Sequence, residues 1–446
     1  MATNDQNFLT TEVQRFTALD IFRGMTICFM IIVNMAGNGE TTFAPLHHAH
    51  WNGFTPTDLV FPSFMFAVGN AMSFVMRRWN TYPTSKVLGK IFKRAAIIFL
   101  LGYLMYWFPF VHKNDAGNIV FNPIGETRIF GVLQRIALGY LFASLMIYFF
   151  KIRTTVIITI LILILYWPVM MYFGDGPDPL DIHTNAVLKL DTWLIGLKHL
   201  YTGEGFPFDP EGFLSTFPAI GNVVAGYVVG KYVQEKGKTY EGIAKIMLAG
   251  FVLIVIAHFW NYQFPINKKL WTSSFVLHTV GIDCLILSGV IYLVDFTSKK
   301  SEAFLSTIKT VRLILLTLVA AYFIYTQFID AENAITAGYT IITVLADALV
   351  LYFIWLAGKF SLTGRWPGFF ETVGKNPLPV YLLSELLPIV FYIVTIGDKP
   401  LWNWMFDNFF GYATPYVGSL LLSVCYMLLC WSFGYFLDKK KVYIRV

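Results

Sequence analysis

A short stretch near the amino terminus holds the side chains best suited to chemistry. Residues 45–66 read PLHHAHWNGFTPTDLVFPSFMF and contain His47, His48 and His50 within four positions. An imidazole accepts and releases a proton near neutral pH, and it can also act as a nucleophile towards an acyl thioester. The candidate catalytic residue is therefore His48, as a general base or as the acceptor of an acyl group.

Two simpler interpretations of the histidine cluster stay open. A loop histidine is often an ordinary polar residue, and His47, His48 and His50 together could ligate zinc. Because no cysteine or paired acid lies at ligand spacing nearby, no metal is expected.

The residues after the histidines fit the start of a helix. Thr55 is a candidate N-cap, Pro56 suits the first helical position, and Asp58 can reach back to the cap. The carboxylate of Asp58 then has two interpretations, as a helix cap and as the group that orients a nearby histidine.

Several polar side chains fall inside or at the ends of apolar segments, where an ionisable group is costly unless it pairs or faces a polar cavity. Asp20 and Arg23 are three residues apart and can pair on one helix face. Arg135, next to Gln134, needs an acid or an anionic ligand. Together these groups predict a polar cavity through a helix bundle. The others of this kind are Asn34, His258, His278, Asp283, Asp347 and Glu385.

Helices that cross a membrane must position these side chains. Of 446 residues, 56% are hydrophobic and 13% are charged, whereas soluble domains average about 25% charged. A soluble surface is therefore excluded, and the net charge of +6 does not indicate nucleic-acid binding. Apolar stretches of about 20 residues predict twelve helices: 18–36, 57–77, 89–109, 129–150, 154–173, 213–233, 243–262, 271–295, 311–329, 338–357, 376–396 and 414–436.

Charge predicts the orientation of these helices. Lys and Arg concentrate in alternate connections, and the remaining connections carry most of the loop acids. The positive-inside rule places both termini in the cytoplasm and the His48 loop and the 174–212 loop outside. We expect an all-α, multi-pass bundle in the inner membrane, without a cleaved signal peptide. Gly226 and Gly230 predict close packing of their helix.

Six pieces of the sequence resemble one known family. They are RFTALDIFRGMTICFMIIVN, HAHWNGFTPTDLVFPSFMFAVG, GVLQRIALGY, FDPEGFLSTFPAIGNVVAGYVVG, PINKKLWTSSFVLHT and VGKNPLPVYLLSE. In this order they are similar to the heparan-α-glucosaminide N-acetyltransferase family, the transmembrane acetyltransferases of lysosomes and their bacterial relatives. The resemblance implies a single transmembrane acyltransferase domain over 1–446, with 311–357 as an extra helix pair.

The resemblance also implies site residues. The family's catalytic histidine lies three positions before Trp-Asn-Gly, which is His48 here, and Asn34 and Asp58 match two further catalytic positions. Acetyl-CoA would bind from the cytoplasmic side and donate its acetyl group to an amino sugar on the far side. Candidate contacts to acetyl-CoA are Arg23, Gln134, Arg135, Lys93, Arg94 and Lys375. Candidate contacts to the acceptor are Trp51, Asn52, His50, Asp209 and Glu211.

Other functions and partners stay open. Twelve helices with both termini inside also suit a solute transporter, although the two halves lack self-similarity. The LDIFRG opening is similar to the acyltransferase-3 family, which O-acylates surface sugars. The expected partners are acetyl-CoA, an amino-sugar acceptor and the lipid bilayer, without nucleic acid. Formation of a homodimer is left open.

Overall fold

The chain forms a predominantly helical bundle. The computed structural model describes residues 16–37, 39–79, 81–114, 118–236, 239–296, 366–412 and 415–444. The helices are α1 (Thr17–Asn34), α2 (Pro56–Trp79), α3 (Thr84–Trp107), α4 (Val132–Phe149), α5 (Ile152–Phe173), α6 (Ala186–Ile195), α7 (Phe213–Lys236), α8 (Tyr240–Asn261), α9 (Ser273–Ile291), α10 (Trp366–Gly374), α11 (Pro377–Ile393), α12 (Leu401–Met405) and α13 (Pro415–Lys439).

The described strands form two small hairpins. Strand β1 (Val111–Lys113) pairs antiparallel with β2 (Ile119–Phe121), and β3 (Thr395–Ile396) pairs antiparallel with β4 (Lys399–Pro400). The first hairpin joins α3 to α4 and the second joins α11 to α12, so both lie in connections between helices.

The predicted helices agree closely with the described ones. Ten of the twelve coincide with a described helix to within five residues at either end, and the pair at 311–329 and 338–357 lies outside the described residues. Eight described helices are long and apolar enough to cross a membrane. Helices α10 and α11, bent by 81°, make a ninth if they count as one span. The total of twelve remains a prediction.

Two local predictions were incomplete. The segment 174–212, read as a loop, contains α6, and the helix predicted at 376–396 is preceded by the short helix α10. Hydropathy detects long apolar runs, whereas α6 and α10 have 10 and 9 residues. Helix α6 is fixed at its start by Asn185, whose side chain accepts a hydrogen bond from the Leu188 amide at 2.9 Å.

Helices α2 and α7 pack with their backbones in contact. A side chain at Gly69 would overlap the carbonyl of Val223, and one at Gly226 would overlap the carbonyl of Phe66. Only glycine allows such an approach. The close packing predicted from Gly226 and Gly230 is therefore confirmed.

Helices α5 and α8 lie on the outside of the bundle. Only 22% and 28% of their apolar windows are buried, against 67% for α2. Their exposed side chains are large and apolar, as a lipid-facing surface requires. Examples are Ile160, Leu161, Leu165, Leu248, Phe251 and Phe259.

The start of α1 and the end of α13 lie at the same end of the bundle. A side chain at Gly374 would overlap the carbonyl of Asp20 in α1, and the next residue, Lys375, lies 3.2 Å from the carboxylate of Asp438 in α13. The loop that carries His47, His48 and His50, here named the histidine loop, follows the other end of α1. That the shared end faces the cytoplasm remains a prediction.

Candidate active site

The imidazole of His48 is held by the carboxylate of Asp58. His48 Nδ1 lies 2.7 Å from Asp58 Oδ1. The side chain of His48 is 44% exposed, whereas that of Asp58 is 1% exposed. A carboxylate only accepts hydrogen bonds, so Nδ1 carries the proton and Nε2 keeps a free lone pair. The buried acid thus fixes the tautomer that a base or nucleophile needs.

The second oxygen of Asp58 caps α2. Asp58 Oδ2 accepts from the Thr55 amide at 3.0 Å and from the Ala49 amide at 3.1 Å. The reach back to Thr55 is the contact predicted from the sequence. Both interpretations of Asp58 are therefore realised at once, since each carboxylate oxygen makes one of the two contacts.

Lys268 is a third member of this cluster. Its Nζ lies 3.0 Å from His48 Nδ1, 3.1 Å from His48 Nε2 and 3.8 Å from Asp58 Oδ1. Burial lowers the pKa of Lys268, while the negative charges of Asp58 and Glu211 favour its protonated form. A cation thus lies beside the ring nitrogen that would react.

Arg128 makes ion pairs with the loop that precedes α7. Its guanidinium makes two hydrogen bonds to Asp209, at 2.9 and 2.7 Å, and one to Glu211 at 2.7 Å. The rings of Tyr106 and Tyr201 lie 4.8 and 4.5 Å from the guanidinium carbon. We expected Asp209 and Glu211 to contact the acceptor. In the structure both carboxylates pair with Arg128, and these ion pairs hold the segment before α7 in place.

The three acceptor candidates next to His48 make contacts within the protein. Trp51 donates from Nε1 to the Leu180 carbonyl at 3.1 Å. The side chain of Asn52 accepts from Asn267 Nδ2 at 3.1 Å. The backbone carbonyl of His50 accepts a hydrogen bond from Lys269 at 3.0 Å, and this contact does not involve the imidazole ring of His50. Trp51 and Asn52 thus join the histidine loop to its neighbours, and their roles towards an acceptor stay predictions.

Asn34 is placed differently from His48. It lies at the end of α1 and donates from Nδ2 to Glu385 Oε1 in α11 at 3.3 Å. Among the described residues no hydrogen bond joins it to His48. The structure therefore brings His48 and Asp58 together and pairs Asn34 with another carboxylate.

A cavity of about 480 Å³ lies between α1, α2, α3, α4 and the break between α10 and α11. Three of the cations expected to bind CoA line it: Arg23, Arg94 and Lys375. Arg23 pairs with Asp20, as predicted, and Arg94 lies 4.8 Å from the ring centre of Tyr140. A phosphate-bearing ligand would meet these cations at the end of the bundle where α1 begins.

Lys93 lies apart from this cavity. Its side chain is exposed on α3, and it does not line the cavity that Arg94 lines. Its proposed contact with CoA would therefore have to be made outside the cavity.

Gln134 and Arg135 lie fully buried at the start of α4. The side-chain amide of Gln134 has no hydrogen-bond partner among the described residues. Arg135 donates to the Gly212 carbonyl at 3.1 Å and to the Ser215 hydroxyl, and its guanidinium carbon lies 4.7 Å from the ring centre of Trp271. Arg135 is thus held by neutral groups, and its Nε and Nη1 are unpartnered within the described ranges.

The histidine cluster is not arranged like a metal centre. His47 Nε2 lies 3.1 Å from the Thr42 carbonyl, and His48 Nδ1 faces Asp58. In the part of the chain that the structure describes, no three His, Cys, Asp or Glu side chains converge to hold a metal ion.

Sequence reasoning missed Lys268 and Arg128 as members of the site. Lys268 lies in the quoted piece PINKKLWTSSFVLHT, and Arg128 lies just before the quoted piece GVLQRIALGY. Lys268 is 220 positions from His48, so no local pattern could connect them. A signal was available in the few basic residues of the acid-rich connections, because buried acids need a cationic partner.

Comparison with known proteins places the chain. The family model described as heparan-alpha-glucosaminide N-acetyltransferase, catalytic, matches residues 15–258, which is more than half of the 446 residues. The chain belongs to this family. The matched range contains His48 and Asp58, whereas Lys268 lies beyond it. Together with the apolar helices, the match makes the chain a membrane protein of a transmembrane acetyltransferase family.

Two curated relatives of the family are similar over part of their length. The heparan-alpha-glucosaminide N-acetyltransferase of Mus musculus is 26% identical over 321 residues, which cover 60% of this chain and 47% of the relative. The Homo sapiens protein of the same name is 25% identical over 317 residues, which cover 59% and 46%. The chain thus spans about half the length of the curated relatives it matches.

Proposed function

We propose that the protein transfers an acetyl group from acetyl-CoA, bound at the cytoplasmic end of the bundle, to the amine of a glucosamine-type sugar at the opposite end. One observation carries this proposal: a cavity lined by cations lies where α1 begins, and the His48–Asp58 pair lies beyond the end of α1. From Asp20 to Asn34 the helix rises about 21 Å, at about 1.5 Å per residue. A long donor molecule can span that distance.

The cavity supplies what a CoA thioester needs. Arg23, Arg94 and Lys375 suit its phosphates. Further along, the lining is apolar and reaches Leu133, next to Gln134. The unpartnered amide of Gln134 can both donate and accept, so it suits the amide groups of the pantetheine arm.

Packed side chains connect Gln134 and Arg135 to His48. Arg135 lies against the ring of Trp271, and Trp271 closes the turn that carries Lys268. Lys268 in turn touches His48. On this proposal the pantetheine arm follows this series and brings the acetyl group to His48.

His48 would act through Nε2 in one of two ways. As a base, Nε2 takes a proton from the acceptor amine while the amine nitrogen attacks the thioester carbon. As a nucleophile, Nε2 forms the bond to that carbon and later passes the acetyl group to the amine. In both routes the C–S bond breaks with its electron pair on sulfur, His48 Nε2 takes the proton that the amine loses, and that proton neutralises the CoA thiolate.

Replacement of His48 tests the proposal directly. In the purified protein, His48→Ala should lower transfer of radiolabelled acetyl from acetyl-CoA to glucosamine by about 10³-fold or more, because the proton acceptor or nucleophile is lost. Binding of CoA should stay unchanged, since the cavity is remote. Full activity of the variant would contradict the assignment of His48.

Two controls sharpen this measurement. His47→Ala removes a neighbouring imidazole that faces a backbone carbonyl, and it should retain activity. Glucose differs from glucosamine by a hydroxyl in place of the amine, and it should accept no label. Labelled glucose would indicate O-acylation, and solute uptake without acetyl-CoA would indicate a transporter.

A further inference from the structure

The ammonium of Lys268 lies nearer to the imidazole of His48 than to any oxygen of Asp58. The distances are 3.0 and 3.1 Å to the two ring nitrogens and 3.8 Å to Asp58 Oδ1. The ammonium is thus nearly equidistant from the two ring nitrogens and lies off the in-plane lone pair of Nε2, which stays free for the reaction. A lysine that served only to neutralise Asp58 would contact the carboxylate directly.

We infer that Lys268 stabilises the negative charge that forms on the acetyl oxygen during transfer, an inference that rests on the proposed function. When Nε2 or the amine beside it attacks, the electron pair of the C=O bond moves onto the oxygen. That oxygen is bonded to the carbon under attack, so it lies within reach of a donor 3.1 Å from Nε2. Collapse of the intermediate re-forms C=O and breaks the C–S bond, and the sulfur leaves with the electron pair.

The turn that carries Lys268 is rigidly joined to the histidine loop. The Gly53 amide donates to the Ile266 carbonyl at 2.8 Å, and Asn267 donates to the side chain of Asn52 at 3.1 Å. Trp271 closes the turn with a φ of 52°, a conformation that a bulky residue rarely adopts. Such a conformation persists only where the surroundings enforce it, so the backbone that carries Lys268 is held in place before substrate arrives.

Burial lowers the pKa of Lys268, and its negative neighbours Asp58 of α2, Glu211 before α7 and Glu204 of the preceding loop oppose that fall. Lys269 adds to it as a positive neighbour. Lys269 is itself committed to Glu204 at 2.5 Å. The side chain of Lys268 is only 16% exposed, and a charge in such a site acts more strongly than one in water.

Asn34, another candidate catalytic residue from the sequence, makes its contact elsewhere. Its side-chain amide donates to Glu385. Lys268 therefore has the better geometry for the oxyanion, and Asn34 is left to position α11 against α1.

Kinetics of lysine variants test this inference. With acetyl-CoA and glucosamine, Lys268→Met should lower kcat by about 10²–10³-fold, the usual loss when one oxyanion donor is removed. The KM for acetyl-CoA should change less than about threefold, since an interaction made only in the transition state affects kcat. Lys268→Arg keeps the charge and should retain kcat to within about tenfold.

A matched control and the opposing outcomes complete the test. Lys189→Met removes an exposed cation of the 174–212 loop that pairs with Asp175, and it should leave kcat unchanged. Wild-type kcat in Lys268→Met, or a folded Lys268→Arg as inactive as Lys268→Met, would overturn the role. If Lys268→Met fails to fold, Lys268→Arg alone decides. A wild-type protein that acetylates no glucosamine overturns the proposed function as well.

Discussion

A histidine beside a buried carboxylate differs from a solvated one in which of its nitrogens is free. Asp58 fixes Nδ1 of His48 as the donor, and Lys268 lies 3.0 and 3.1 Å from the two ring nitrogens. The reactive nitrogen thus has an acid behind it and a cation beside it. This arrangement places both proton transfer and charge stabilisation on one side chain and its two neighbours.

A different acid, Asp191, gives a prediction about pH and stability. It is 1% exposed in α6 and accepts from the Phe213 amide at the start of α7 at 2.9 Å. Burial raises the pKa of Asp191 to about 7; the Phe213 amide and Arg135 oppose the rise, and Asp209 adds to it. The folded protein thus binds a proton that the unfolded chain releases near pH 4, so stability falls as pH rises from about 4 to 7.

Asp191→Asn should remove this dependence. Asparagine keeps an oxygen for the Phe213 amide but cannot ionise. Relative to wild type, the Tm of the variant should therefore rise by a few degrees between pH 5 and pH 8, as followed by thermal unfolding in detergent. A difference in Tm that is the same at both pH values would show that Asp191 does not titrate in this range.

At the scale of elements, the contact between α2 and α7 sets the position of the site. Helix α2 begins at the Asp58 cap, and α7 begins just after the loop that holds Arg128. Because the two backbones touch at Gly69 and Gly226, a small shift between the helices would move both starting points.

Gly226→Leu should therefore be strongly destabilising. The new side chain would overlap the carbonyl of Phe66 in α2, and overpacking of this kind typically costs about 1–3 kcal/mol or more. We expect a clear loss of Tm and of folded yield by size-exclusion chromatography. Gly289→Leu in α9 is the matched control, since no atom of the described residues lies within 4 Å of a Cβ atom added there. Equal Tm values for the two variants would contradict the packing account.

The long helices could be predicted from the sequence because each depends on its own apolar run. The cap from Asp58 to Thr55 could also be predicted, since it spans three residues. The contact of Lys268 with His48 could not, because it depends on the packing of α9, which follows the Lys268 turn, against α2. The pairing of Asn34 with Glu385 is likewise a tertiary contact across 351 positions.

At the scale of the whole molecule, the two ends of the bundle differ in chemistry. One end carries the cavity with Arg23, Arg94 and Lys375, and the other carries His48, Asp58 and Lys268. Charge in the connecting loops predicts that the first end faces the cytoplasm. The bilayer would then separate the donor from the acceptor.

Acetyl transfer across a sealed membrane tests this central claim most directly. Protein reconstituted in liposomes with radiolabelled acetyl-CoA trapped inside should produce labelled N-acetylglucosamine outside when glucosamine is added there, and His48→Ala should produce none. Vesicles of the same uncharged lipid without protein give the background. Product that forms only when acetyl-CoA and glucosamine share the same side would contradict transfer through the bundle.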